Sequence, residues 1–117
     1  MTRIEQEHIN ARCYYHFNTA IEQLRKEQLE GIADCKQLLT CQAWVWETED
    51  YYILQSYKTF IACIEKKTDT LYDVLRTEYG YTNTSSKHIA KFRKGSAYGG
   101  YGAGAWGVAE EYTARIY

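Results

Sequence analysis

The sequence predicts an α+β fold: an antiparallel sheet of four to five strands with a long N-terminal helix and a short basic helix packed on it. Three observations carry this. Apolar side chains recur every three or four residues from Thr2 to about Gln28. From Gln42 the spacing changes to two. After Tyr79 a turn and a run of hydroxyl residues lead into KHIAKFRK, residues 87–94.

The first helix has a start signal. Thr2 followed by Glu5 is a capping box, in which each residue satisfies a free backbone donor of the other. Ile4, Ala11, Tyr14, Phe17, Ile21 and Leu24 set the apolar rhythm, and Ile9, Cys13 and Ala20 widen it. A stripe that wide suits a helix lying on a sheet or one that also meets a second copy, so a homodimer through this helix is an expectation. Gly31 interrupts the pattern, and a second short helix is expected over about Ile32 to Leu39.

Trp44 and Trp46 share one face of the first expected strand, with Val45 and Glu47 on the other. Glu49-Asp50 reads as a turn. Strands then follow at Tyr51–Tyr57, Thr59–Lys66 and Thr70–Arg76, with a polar turn at Lys67-Thr68-Asp69. Short connections predict an antiparallel meander. The Phe60 strand is apolar on both faces, with Phe60, Ala62 and Ile64 on one side and Ile61 and Cys63 on the other, which places it centrally.

Tyr79-Gly80-Tyr81 reads as a turn in which Gly80 supplies a positive φ. Thr82, Thr84, Ser85 and Ser86 offer capping hydroxyls for a helix over about Ser85 to Lys94, closed by Gly95. Ile89 and Phe92 are its expected apolar contacts. Residues 95–107, GSAYGGYGAGAWG, hold six of the eight glycines and read as a mobile loop. Glu111–Tyr117 reads as a final strand or a short frayed helix. The expected organisation is one domain: a helical part over 1–40, sheet and basic helix over 42–94, the glycine- and aromatic-rich loop over 95–107, and the end over 108–117.

Composition excludes some classes. The chain has 117 residues and a net charge of −1, so only local charge asymmetry can draw it to nucleic acid. No apolar run approaches the roughly 18 residues of a membrane span. The opening MTRIEQEHIN is too charged for the core of a signal peptide. A cytoplasmic protein is expected. The four cysteines (Cys13, Cys35, Cys41, Cys63) form no CxxC pair, so thiols and not a metal site or disulfides are expected. No cofactor is implied. Twelve tyrosines and three tryptophans suit an interface or a sheet core.

Few residues suggest chemistry. Lys87, Lys91, Arg93 and Lys94 form a basic helix face that suits phosphate, an acidic protein surface or plain solvent. Tyr98, Tyr101 and Trp106 suit aromatic anchoring on a partner or a simple connection. Glu47, Glu49 and Asp50 suit a solvated turn better than a magnesium site. His8 and His16 lie two turns apart without an HExxH context. His88 near Ser85 and Ser86 lacks an oriented acid, so catalysis is not expected.

The segments SYKTFIACI, LYDVLRTEYGYT and TSSKHIAKF span Ser56–Phe92. Together they resemble a small uncharacterised domain of phage and integrative-element proteins from Gram-positive bacteria. The residues that carry the resemblance are Ser56, Tyr57, Thr59, Ile61, Ala62, Leu71, Tyr72 and Asp73, then Tyr79, Gly80, Tyr81, Thr82, Thr84, Ser85, His88, Ile89, Lys91 and Phe92. No activity transfers with them. The resemblance implies a non-enzymatic accessory protein of a mobile element. Its most concrete form is a type II-A anti-CRISPR, a Cas9 inhibitor acting by steric binding on Cas9 or the Cas9–guide RNA assembly. A small regulator that binds RNA or DNA through the basic helix and a self-associating structural protein are the alternatives.

Overall fold

Thr2 opens the first helix as its sequence demands: Thr2 Oγ1 accepts from Glu5 N at 3.1 Å and Glu5 Oε1 accepts from Thr2 N at 3.3 Å. The computed structural model describes residues 1–38, 42–80, 82–94 and 108–116. Helix α1 (Arg3–Leu29) is followed by strands β1 (Asp34–Gln37), β2 (Ala43–Glu47), β3 (Tyr51–Ser56), β4 (Thr59–Glu65) and β5 (Thr70–Asp73). Then come the short helix α2 (Leu75–Glu78), helix α3 (Asn83–Arg93) and strand β6 (Glu110–Thr113).

The six strands form one sheet in sequence order, β1-β2-β3-β4-β5-β6. The α+β class stands, but the sheet has six strands and not four to five. It is mixed and not a pure meander. The first five strands pair antiparallel, while β6 runs parallel to β5. A parallel return needs a crossover of a dozen or more residues, and the stretch carrying α2 and α3 supplies it.

The two extra features had poor local signals. The expected helix over Ile32–Leu39 is instead β1, because Asp34–Gln37 pairs along Glu47–Trp44. Its sequence, DCKQ, lacks the β-branched residues that mark strands, so pairing with β2 overrides local preference. The strand expected over Thr70–Arg76 ends at Asp73, whose Oδ1 accepts from Leu75 N at 2.9 Å and starts α2.

Each face of the sheet is covered. On one, Cys13, Phe17, Ala20 and Leu24 of α1 pack on Tyr51, Ile53, Cys63, Tyr72 and Val74. On the other, Ile89 and Phe92 of α3, with Leu75, pack on Val45, Leu54, Ala62, Ile64 and Leu71. Thus Ile4, expected on the apolar stripe, is 66% exposed; the buried line of α1 is centred on Cys13 and Ala20 instead. Strand β4 is central, as expected, but its faces differ from strict alternation. Leu54 pairs with Ala62 and Gln55 with Phe60, so Ile61 is an extra, bulged residue. The bulge sends Phe60 to the α1 side and lets Ile61 join Ala62 and Ile64 opposite.

Polar side chains of α1 hold the rim of the sheet. Gln6 Nε2 donates to Thr113 O at 2.9 Å. Asn10 accepts from Arg115 N and donates to Arg115 O. His16 stacks on Tyr72 with ring centroids 4.2 Å apart. Helix α3 begins at Thr82, whose Oγ1 accepts from Ser85 N at 3.1 Å. Its C-cap position falls on Lys94, and Gly95 lies outside the described residues. Gly80 has φ +90, the positive value expected of this turn.

Candidate functional site

The N-terminal end of α3 is bolted to the sheet by a buried polar cluster. Ser56 Oγ lies 3.0 Å from Ser85 Oγ and 2.8 Å from His88 Nδ1. All three side chains are buried. Burial, followed by the charge of Lys91, lowers the His88 pKa and favours neutral imidazole. These groups belong to the two ends of the Ser56–Phe92 pattern. Ile89 and Phe92 of the same pattern lie in the core, and Asp73 Oδ1 accepts from Leu75 N where α2 begins. Much of the pattern thus describes how α3 is fastened to the sheet.

The other polar residues singled out by sequence have structural partners too. Glu47 Oε2 accepts from Lys66 Nζ at 2.7 Å. Asp50 Oδ2 accepts from Gln23 Nε2 at 2.8 Å, and Glu49 N donates to Glu27 Oε2 at 3.1 Å. Both contacts tie the β2–β3 turn to α1. His16 Nδ1 lies 2.9 Å from Tyr51 Oη, while His8 is exposed. Cys13 and Cys63 are buried free thiols and Cys35 is half-buried; burial pushes the Cys13 pKa up to about 12.

On α3, Lys87 and Lys94 are exposed, while Lys91 and Arg93 are half-buried. Arg93 Nη2 donates to Glu111 Oε1 at 2.5 Å, so its charge is shared with β6. The aromatic candidates Tyr98, Tyr101 and Trp106 lie outside the described residues, as do Tyr81 and Cys41.

A site that sequence reasoning did not single out lies at the β1–β2–β3 end of the sheet. Cys35, Trp44, Trp46, Gln55, Tyr57 and Lys58 line a shallow cavity of about 350 Å³. Helix α1 covers this sheet face as far as Trp46, which packs against its core, and Trp44 lies beyond that packing. The cavity walls are held in place. Trp46 Nε1 donates to Gln55 Oε1 at 2.8 Å, and Gln55 Nε2 donates to Tyr57 O at 2.8 Å. Tyr57 N donates to Gln42 O at 2.8 Å.

Tyr57 occupies the left-handed region, φ 54, which is unfavourable for an aromatic residue. Its ring is 5.9 Å from that of His88. Tyr57 therefore joins the aromatic cavity to α3. Lys58 beside it is exposed, as is Lys87 next to His88 along α3. Such a surface can stack on flat rings and pair with negative charge. The signal available in sequence was the Trp44/Trp46 spacing; that α1 stops short of Trp44 was not legible.

A family model matches residues 27–106, a span that contains both the aromatic cavity and the whole Ser56–Phe92 pattern. The chain belongs to a family of unknown function, DUF8033. The family description fits an uncharacterised small domain and assigns no activity, phage origin or anti-CRISPR role. No curated protein and no solved structure matches the chain. Among the described residues of this DUF8033 member, no helix is long and apolar enough to cross a membrane.

Proposed function

We propose that this DUF8033 protein is a non-enzymatic binding module of a mobile element that inhibits Cas9, or assembly of Cas9 with its guide RNA, by steric occupation. The observation that carries a binding role is the held aromatic cavity of Trp44, Trp46 and Tyr57. Large rings fixed on strands present contact area at little further entropic cost, which is what interface anchors require. The Gln55 amide braces two of the three walls. Lys58 lines the same surface and suits a partner that carries negative charge, as a guide RNA does. The choice of Cas9 as target rests on the sequence resemblance.

The test is DNA cleavage by several type II-A Cas9 proteins, with this protein added before or after guide loading and the guide run on a gel. Inhibition only when it is added first, with intact guide, supports a block of guide assembly. Inhibition in either order places the block at DNA binding or activation. No inhibition of any Cas9 tested would sink the Cas9 reading.

A second reading takes the same surface as a platform for free single-stranded nucleic acid. Aromatic rings beside Lys58 favour it, since bases stack and phosphates pair. It predicts binding to free RNA or DNA that weakens steeply with salt. A Cas9-surface inhibitor would bind little free nucleic acid.

A further inference from the structure

The two edges of the sheet differ. At the β6 edge α1 supplies partners: Gln6 Nε2 donates to Thr113 O, and Asn10 bonds both the backbone N–H and the C=O of Arg115. At the β1 edge, among the described residues, no further strand pairs with Asp34–Gln37. An open edge presents backbone donors and acceptors that match those of another strand.

The ladder fixes which groups face outward. Leu38 N donates to Ala43 O at 2.8 Å, and the same register pairs Lys36 with Val45 and Asp34 with Glu47. Antiparallel pairs alternate between bonded and non-bonded. Asp34 and Lys36 therefore turn their backbone groups to β2, and Cys35 turns its N–H and C=O away. Cys35 lies opposite Trp46 and lines the aromatic cavity. Just upstream, Leu29 and Ile32 are 90% and 62% exposed, so apolar surface adjoins this edge.

We infer that a second copy of this chain pairs antiparallel with β1 about a two-fold axis at Cys35, joining two sheets into one. The strand is complementary to itself in this register. Each Cys35 N–H donates to the Cys35 C=O of the other copy. Asp34 of each copy lies opposite Lys36 of the other, an opposite-charge pair on either side of the axis. Lys36 Nζ sits 3.9 Å from Asp34 Oδ2 of its own strand, and the second Asp34 joins that contact. Centring the axis on Gln37 would set Lys36 against Leu38, which is buried. The paired strands bring two aromatic cavities side by side on one face. That consequence rests on the binding role proposed for the cavity; the dimer does not.

Sedimentation and cross-linking test the dimer on the full chain. The protein should sediment at twice the mass of one chain. Cys41→Ser leaves Cys35 as the one thiol that is not buried. In that variant a short bismaleimide should link Cys35 to Cys35, read by peptide mapping. Cys35→Pro removes an N–H that β2 does not use, so the fold should hold. The dissociation constant of the dimer should rise about 10-fold or more, because both bonds across the axis are lost. Asp34→Lys sets like charges across the axis and should weaken the dimer while leaving the ladder to β2 in place. A single-chain mass at every concentration overturns the inference, and so does a dimer that Cys35→Pro and Asp34→Lys leave unchanged. Mass reads the dimer and DNA cleavage reads inhibition, so failure of one is distinguishable from failure of the other.

Discussion

Ser56 on β3 and His88 on α3, 32 residues apart in sequence, are joined by a 2.8 Å hydrogen bond between Oγ and Nδ1. Ser56 Oγ also meets Ser85 Oγ, so one hydroxyl serves two partners on the same helix. The arrangement fixes where α3 lies on the sheet. Ile89, one residue after His88, and Phe92, one turn beyond it, are thereby set into the core. It also sets the ring of His88 beside Tyr57, so the same contact supports one wall of the aromatic surface.

Replacing Ser56 with Ala should be costly for so small a change. The cavity left by one oxygen is minor, but His88 Nδ1 and Ser85 Oγ lose a buried partner. Leaving a buried polar group unsatisfied costs about 1–3 kcal/mol. For a domain of this size each kcal/mol lowers the melting temperature by roughly 4 °C or more. A melting curve of Ser56→Ala that overlays the parent would show that the cluster contributes nothing to stability.

Stability should also fall on mild acidification. Burial lowers the pKa of both His16 and His88 in the folded chain; Lys91 adds to the effect at His88, while Glu65 opposes it at His16. Above about pH 6.5, the ordinary imidazole value, both rings are neutral whether the chain is folded or not. As pH drops through that value the unfolded chain takes up protons that the folded chain resists. The unfolded state then binds more protons, so unfolding becomes easier as pH decreases. Urea midpoints measured on either side of this value test the sign. A midpoint that rises on acidification through it would contradict the assignment.

Gln23 is expected to matter more than its place on a helix surface suggests. Its Oε1 accepts from Asp50 N and Thr48 Oγ1, and its Nε2 donates to Asp50 Oδ2. One amide therefore makes three of the bonds that hold the β2–β3 turn against α1, beside the Glu27 contact to Glu49 N. Gln23→Ala should destabilise by about 1–2 kcal/mol, since Thr48 is buried while Asp50 regains water. Hydrogen exchange at the turn is the sharper readout. Faster exchange at residues 48–51, with α3 unaffected, is expected, and uniform exchange across the chain would count against a local role.

Much of this fold was legible because its signals are local. The Thr2–Glu5 box, the period-two run from Trp44 to Tyr72 and the Thr82 cap each act within a few residues. Strand β1 was not legible because DCKQ carries no strand preference and forms only by pairing with Trp44–Glu47. Strand β6 was legible only as one of two readings, a final strand or a short frayed helix, and not in direction, which is set by a crossover and by Gln6 and Asn10 more than a hundred residues upstream. The sites were less legible still. Trp44 and Trp46 were recognised as sharing a face, but not as reaching beyond the edge of α1. Arg76, Arg93 and Arg115 line one cavity from α2, α3 and the segment after β6, and no linear motif joins them.

Tyr57 separates folding from binding most cleanly. A non-glycine residue at φ 54 carries a backbone penalty of about 1 kcal/mol or more, and an aromatic residue is a poor choice for such a turn on stability alone. Tyr57→Gly relieves that penalty but removes a ring that is 41% exposed and packs only partly on His88. The two effects roughly offset, so the melting temperature should stay within a few degrees of the parent. Binding should not be spared, because the wall between the Trp44 cavity and α3 is gone. If the aromatic surface is the anchor, inhibition of Cas9 should weaken about 10-fold or more, as for loss of a hot-spot tyrosine. Trp44→Ala, at the opposite wall, should reproduce the loss. Full inhibition by both variants, with both still folded by circular dichroism, would move the interface elsewhere on the chain.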